Sequence, residues 1–235
     1  MTAQSSTMAT NVRRITAEIK EFHDGLYNKD HIYYRSDPTD ITKGYALVLG
    51  SSDTPYENFP CYLEIQLPAD YPHSPPKVKF LTYFQRVRFH PNLYVEGKVC
   101  LSILGTWQGP AWSPIMKIST VLLSIQSIMD KTPYCNEPGM KDSPVYNDAI
   151  TYYVMKYKLD WLNRLSQKQA QPNHELAFHD VLHPMIPQFL KDMKKQCETL
   201  PPANHASVPY GIQGFQVDYG TLIPTITAHM TTFGA

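Results

Sequence analysis

Apolar residues recur at two different periods along this chain, and the change of period divides it. Val12, Ile15, Ile19 and Phe22 stand three or four apart, with Arg13, Arg14, Glu18 and Lys20 between them. This spacing predicts a short amphipathic helix stopped near Gly25. The period then falls to two. Residues 45–49 predict one strand. Residues 62–67 predict another, with Leu63, Ile65 and Leu67 inward and Tyr62, Glu64 and Gln66 outward. Residues 77–81 predict a third, with Val78 and Phe80 on one face. Short connections between consecutive strands argue for an antiparallel meander, with a fourth strand drawn from residues 28–35 or 39–45. Regular spacing fades from residue 90 to residue 114, and such long irregular segments inside a compact domain tend to carry function. Ile118, Val121, Leu122, Ile125, Ile128 and Met129 then form a broad helical stripe, with Ser119 or Thr120 as a cap. A further helix is expected over residues 146–165, inward through Ile150, Val154, Tyr157, Trp161 and Leu165. After a polar break at 166–174, residues 184–197 read as helix with Ile186, Phe189, Leu190 and Met193 inward.

Composition narrows the class. The 235 residues suffice for one domain with an extension, and 43% hydrophobic against 18% charged content favours a folded chain. Twenty-one basic and 21 acidic residues balance, so no overall field draws the chain to nucleic acid or membrane. Four cysteines, Cys61, Cys100, Cys135 and Cys197, lie far apart without a C-x-x-C pair. Neither a disulfide framework nor a metal site is expected. Residues 1–10 lack the apolar core of a signal peptide and no long apolar run follows, so a soluble protein of the cytoplasm or nucleus is expected. No glycine loop of the phosphate-cradling kind is present.

The irregular segment holds the specific signal. It reads His90-Pro91-Asn92, then Gly97, then Cys100 followed by Leu101-Ser102-Ile103-Leu104. Upstream stands Tyr71-Pro72-His73-Ser74-Pro75-Pro76, and Thr54-Pro55-Tyr56 follows Gly50. Downstream stands Trp112-Ser113-Pro114, before the helix with Val121-Leu122-Leu123-Ser124-Ile125. In this order the motifs resemble the ubiquitin-conjugating enzymes over about residues 12–165. The stretch Gly105-Thr106-Trp107-Gln108-Gly109-Pro110-Ala111-Trp112-Ser113-Pro114, with Asn136-Glu137-Pro138-Gly139 after it, resembles that family's Z-type branch, which also carries a C-terminal extension. The resemblance implies an α+β, UBC-like fold: a four-stranded antiparallel meander flanked by helices in residues 11–165. Residues 166–235 would form a mainly helical extension packed on that core.

What the resemblance implies for chemistry can be set against the residues. Cys100 would carry ubiquitin, or a ubiquitin-like protein, as a thioester received from a ubiquitin-activating enzyme. It would pass the modifier to lysines of protein substrates, usually with a ubiquitin ligase. Thiol exchange needs thiolate and access but no strong base, which suits a cysteine with no histidine placed beside it as a base. Taken without its context, Cys100 reads more readily as a buried structural cysteine, and the H-P-N context reverses that reading. Asn92 would stabilise the oxyanion, a contribution worth roughly 3 kcal/mol, or would only brace the loop. His90 would structure that loop. Glu137 falls where the family commonly has an aspartate that assists the incoming amine. The family's asparagine on that loop is replaced by Tyr134, and Glu137 also reads as an exposed loop charge. Cys135 reads as a small packing residue or as a redox partner of Cys100.

Partner-binding positions implied by the same resemblance are Arg13 and Arg14 for the activating enzyme, and His73, Pro114 and Ile115 for ligases. His73 stands where many members have a large apolar residue, so common RING-type ligases would bind differently or weakly. Trp107 reads as a packing anchor or a recognition element, packing being the safer choice. The Tyr71-Pro72 bond is expected to be cis, as in tight aromatic-proline turns. No cofactor is expected in the chain itself, since ATP serves the upstream activating enzyme. The alternative is a catalytically silent binding module of the same fold, of the kind that lacks the cysteine.

Overall fold

The computed structural model describes residues 3–169 and 171–235. The elements are helix α1 (Ala3–His23), strands β1 (Ile32–Ser36), β2 (Lys43–Leu49), β3 (Pro60–Gln66) and β4 (Lys77–Phe80), and helices α2 (Ile118–Ile128) and α3 (Pro144–Ser166). Beyond α3 come α4 (Asn173–Leu176), α5 (His179–Leu182), α6 (Ile186–Thr199), strands β5 (Ala203–Val208) and β6 (Ile212–Val217), and α7 (Ile223–Phe233). The chain divides into two compact units. One takes the segments up to Gly50, Pro60–Tyr83 and Asn92–Ile128; the other takes Ser51–Phe59, Phe84–Pro91 and Met129–Ala235.

The first unit is built on the expected meander, ordered β1-β2-β3-β4 with each pair antiparallel. Its register lines up Tyr34, Ala46, Leu63 and Phe80 across all four strands, and all four are buried. The opposite face is split. Arg35, Glu64 and Lys79 are exposed at one end, whereas Leu47 and Tyr62 are buried at the other. Tyr62 therefore departs from simple alternation: β3 is covered on both faces along its first half. Helix α1 stops at His23, just before Gly25 with φ +75°. Its inward face differs from the expected one. Asn11, Ile15, Glu18 and Phe22 are buried and Val12 is 44% exposed, because two polar residues on this face have specific acceptors and donors to meet. Asn11 Nδ2 donates to the Ala69 carbonyl at 3.0 Å; Glu18 is described below.

The second unit is organised by α3. Ser143 caps it, its side chain accepting from the Tyr146 N–H at 3.2 Å, and Pro144 occupies the first turn, where a missing N–H costs nothing. Ile150, Val154, Tyr157 and Trp161 are buried as the pattern required. Phe59, Phe89 and Tyr157 pack ring against ring, with Phe59 4.7 Å from Phe89 and 5.9 Å from Tyr157. Helix α6 buries Ile186, Phe189, Leu190 and Met193. The extension also contains the β5–β6 hairpin, an element its sequence pattern did not announce. It meets α3 through His205, 3.2 Å from Asp148, and α7 meets α3 through His229, 2.9 Å from Asn163.

Lys158, on α3, is buried with its ammonium donating to the Glu57 carbonyl at 3.0 Å. Burial pulls its pKa down to about 8, against the opposing pull of Glu57 and Asp192. The unfolded chain, with an ordinary lysine near 10.5, then holds more protons than the folded one between pH 8 and 10.5. Stability from this group therefore rises with pH across that window, by about 3 kcal/mol in full. Below pH 8 the lysine is charged in both states and its burial cost is fully present. Melting Lys158→Met beside the parent at pH 7.5 and 9.5 checks this. The parent should gain on the variant as pH rises, and a constant gap would contradict it.

Candidate functional site

Residues 92–100 form a tight hairpin rather than an open loop. Leu93 and Val99 bridge antiparallel, the Cys100 N–H donates to the Asn92 carbonyl at 2.9 Å, and the Tyr94 N–H donates to the Lys98 carbonyl at 2.9 Å. Gly97 turns the tip with φ +95°, where a Cβ would stand 2.9 Å from the Lys79 side chain and 3.0 Å from the Phe80 carbonyl. A side chain there would be strained and would push the hairpin off β4. Contact with β4 is made by the Lys79–Lys98 bridge and by the Phe80 N–H, which donates to the Gly97 carbonyl at 2.8 Å. The hairpin thus extends the edge of the sheet and holds Cys100 at its far foot.

Asn92 closes that foot a second time. Its Nδ2 donates to the Cys100 carbonyl at 2.8 Å, and the residue is only 7% exposed. Beyond the cysteine, the Thr106 hydroxyl accepts from the Leu101 N–H at 3.0 Å and donates to the Val99 carbonyl at 2.7 Å. The backbone on both sides of Cys100 is therefore fixed, and the residue itself is 1% exposed with a free thiol. His90 is buried, with its ring 6.0 Å from that of Tyr56, whose hydroxyl donates to the Phe89 carbonyl at 2.7 Å.

Glu18 joins three stretches of the first unit. Its carboxylate is 2% exposed and accepts from the Arg14 guanidinium, from the Tyr71 hydroxyl at 2.8–2.9 Å and from the Ile118 N–H at 2.8 Å. The last bond places a negative group on the first turn of α2, so α1 caps α2 together with the expected Thr120, whose hydroxyl accepts from the Lys117 N–H at 3.1 Å. The Tyr71-Pro72 bond is cis, as expected. The Trp112 indole donates to the Pro72 carbonyl at 2.7 Å. Arg14 also donates to the Met116 carbonyl at 2.9 Å. Around this framework Arg13, His73, Pro114 and Ile115 are exposed, Ile115 by 81%. Arg14, by contrast, is committed to contacts within the chain.

In the second unit, Glu137 accepts a hydrogen bond from the Tyr210 hydroxyl. Tyr210 comes from the tip between β5 and β6. Its ring lies under the Arg88 guanidinium at 4.2 Å, and is 5.9 Å from Tyr134 and 5.7 Å from Tyr146. Burial, reinforced by the Glu137 carboxylate, pushes the Tyr210 phenol well above its ordinary range. Its backbone is left-handed at φ 64°, ψ 29°, which costs a bulky residue about 1–3 kcal/mol. The contacts of its ring and hydroxyl offset that cost.

Residues 14–159 match the family model described as ubiquitin-conjugating enzyme. The chain belongs to the ubiquitin-conjugating enzyme family. It is 52% identical over 127 residues to ubiquitin-conjugating enzyme E2 Z of Danio rerio, across 51% of this chain and 39% of that protein. Over 210 residues it is 38% identical to the dual E2 ubiquitin-conjugating enzyme/E3 ubiquitin-protein ligase BIRC6 of Homo sapiens, across 83% of this chain and 4% of that protein. The E2 domain of a Toxoplasma gondii ubiquitin conjugating enzyme superposes with TM-score 0.50 at 28% identity, covering 61% of this chain and 96% of that one. These relatives place the chain with the Z-type branch. The chain spans about two fifths or less of the length of the first relatives it matches.

Within this family assignment, three side chains that matter to the site escaped the sequence reading. Glu18 reads from sequence as part of the polar face of α1. Thr106 stood unremarked in the Gly105–Pro114 stretch. Tyr210 lay in a segment without clear periodicity. Only Thr106 carried a signal, its place in a motif already singled out. Trp107 is corrected: it is 41% exposed and does not anchor a core. Cys135 is exposed, whereas Cys61 and Cys197 are buried and their thiols are pushed up by burial, Cys197 to about 11.

Proposed function

We propose that this chain accepts ubiquitin, or a ubiquitin-like protein, as a thioester on Cys100 and transfers it to a lysine amine. The observation that supports this best is the hairpin of residues 92–100, in which Asn92 of the H-P-N motif holds the backbone of Cys100, a residue with a free thiol. In the first step the Cys100 thiolate attacks the thioester held on an activating enzyme. A new C–S bond forms, the old one breaks, and the departing thiolate takes up a proton. In the second, a neutral lysine amine attacks, the C–N bond forms and Cys100 leaves as thiolate. An ordinary lysine near pKa 10.4 needs a group to hold it and receive its proton, and Glu137 is assigned that role. The Asn92 amide is assigned to the oxyanion that forms as the lysine attacks the thioester. With Cys100 only 1% exposed, both steps require the segment around the sulfur to yield to the partner.

Partners of the proposed reaction are the modifier, an activating enzyme that uses ATP, a ligase and protein substrates. The exposed Arg13, His73, Pro114 and Ile115 are assigned to docking. The reaction is assigned to the cytoplasm or nucleus. Residues 11–165 are assigned as the conjugating core and 166–235 as an extension that folds against it, supported by the His205–Asp148 and His229–Asn163 contacts on α3. Incubation with ubiquitin, activating enzyme and ATP tests the proposal: a reductant-sensitive adduct of chain and ubiquitin is expected.

A further inference from the structure

We propose that Thr106 is a positioning residue for transfer from Cys100: its hydroxyl clamps the chain on the edge opposite Asn92 and so sets where the thioester stands against the Asn92 amide. The proposal rests on the carrier role assigned to Cys100 above. In an extended segment, the N–H and C=O of one residue point to one edge, while the C=O before it and the N–H after it point to the other. Residues 99–101 follow that alternation. On one edge the Cys100 N–H donates to the Asn92 carbonyl at 2.9 Å, and the Cys100 carbonyl accepts from Asn92 Nδ2 at 2.8 Å. On the other, the Val99 carbonyl accepts from the Thr106 hydroxyl at 2.7 Å, and the Leu101 N–H donates to the same hydroxyl at 3.0 Å. Leu101 is extended, at φ −138° and ψ 141°. One threonine hydroxyl thus takes the place of a neighbouring strand. Between them Asn92 and Thr106 hold both edges of the backbone that carries Cys100.

The chain around Thr106 delivers this contact. The Phe80 N–H of β4 serves the same edge at the Gly97 carbonyl, and Thr106 serves it from Val99 onward. After the 3-10 turn Ser102–Leu104, Gly105 adopts a left-handed φ of 68°, and the Thr106 N–H returns to the Leu101 carbonyl at 3.3 Å. Thr106 as a residue is exposed, yet its hydroxyl is turned onto backbone. Its single proton goes to the Val99 carbonyl at 2.7 Å rather than to the Leu101 carbonyl at 3.2 Å, and a lone pair is left for the Leu101 N–H. With both edges held, the Cα–Cβ bond of Cys100 points out of the plane of the strand, and rotation about that bond is the main freedom left to the sulfur. The acyl group on that sulfur is then presented from one backbone position relative to the Asn92 amide. What yields to the partner is the surroundings of the sulfur, while the strand that bears it stays in place. Loss of the clamp frees one edge with the other still held, and misplacement of this kind costs about tenfold in rate. Thr106 touches no reacting atom and neither gains nor loses a proton.

The test uses the full chain with a preformed ubiquitin thioester, and follows single-turnover discharge over a range of free lysine concentrations. The parent is compared with Thr106→Val, Thr106→Ala, Thr106→Ser, Asn92→Ala and the double variant Asn92→Ala/Thr106→Val. Thr106→Val keeps the branched shape and loses only the hydroxyl, Thr106→Ala repeats the loss without the branch, and Thr106→Ser keeps the hydroxyl. The maximal rate is expected to fall about tenfold in Thr106→Val and Thr106→Ala, with the half-saturating lysine concentration unchanged, and to stay within about twofold of the parent in Thr106→Ser. In the Asn92→Ala background, Thr106→Val should slow discharge by less than about a further twofold, because the clamp then has no amide to align with. Discharge at the parent rate by Thr106→Val and Thr106→Ala overturns positioning by Thr106 while the carrier role of Cys100 stands. So does a Thr106→Ser variant as slow as Thr106→Val, a change confined to the half-saturating concentration, or a full tenfold loss that persists beside Asn92→Ala. A parent chain that forms no thioester overturns the carrier role itself, and this proposal with it.

Discussion

Glu18→Ala is expected to lower the stability of the fold by about 3–5 kcal/mol, the loss typical of removing one partner from a buried ion pair. The carboxylate is almost entirely shielded from water and satisfies Arg14, Tyr71 and the Ile118 N–H together. Its removal strands a partly buried guanidinium, a buried phenol and a donor at the start of α2. Each unsatisfied buried group costs about 1–3 kcal/mol, and the three are close enough for their losses to overlap rather than add. Glu18→Gln keeps the shape but loses the charge and one acceptor oxygen, so roughly half the loss is expected of it. Urea unfolding of both variants reads the effect. A loss below about 1 kcal/mol for alanine would show that Glu18 does not hold α1, the Tyr71-Pro72 turn and α2 together.

Asn92→Ala is expected to slow discharge of a preformed thioester to lysine by about 10²-fold. One N–H of the amide is held by the Cys100 carbonyl at 2.8 Å, which fixes the group against the backbone of the proposed carrier residue. Loss of the brace alone leaves a buried carbonyl unsatisfied, at about 1–3 kcal/mol of stability. Thiol exchange with the activating enzyme has a good leaving group and should fall less than about tenfold in this variant. Discharge and charging falling together, in step with stability, would reduce Asn92 to a loop brace.

The elements with strong periodicity were legible from sequence: the meander, α2, α3 and the apolar face of α6 all stand where the pattern put them. What misled was polarity at buried positions. Asn11 and Glu18 face inward on α1 because each has a specific partner distant in sequence, and residue-by-residue hydrophobicity does not register such partners. Val12 was assigned inward for the same reason reversed. Tyr62 is covered on a face that alternation assigned to solvent. The β5–β6 hairpin lacks apolar alternation over Asn204, His205 and Ser207, and its Pro209-Tyr210 tip gives no recognised two-residue turn, so the strands passed unseen. The candidate site was legible as far as its motifs reached. Cys100, Asn92, His90 and Glu137 came from the H-P-N stretch and the loop after α2, while Tyr210 depends on a contact across 73 residues.

Whether Cys100 is the carrier is read directly by a single charging experiment. The full chain, Cys100→Ala and Cys100→Ser are each incubated with ubiquitin, an activating enzyme and ATP, and resolved on non-reducing gels with and without thiol reductant. A reductant-sensitive adduct is expected for the parent, none for alanine, and a reductant-resistant ester for serine. An adduct that persists in Cys100→Ala would contradict it, since the thioester would then lie on another cysteine.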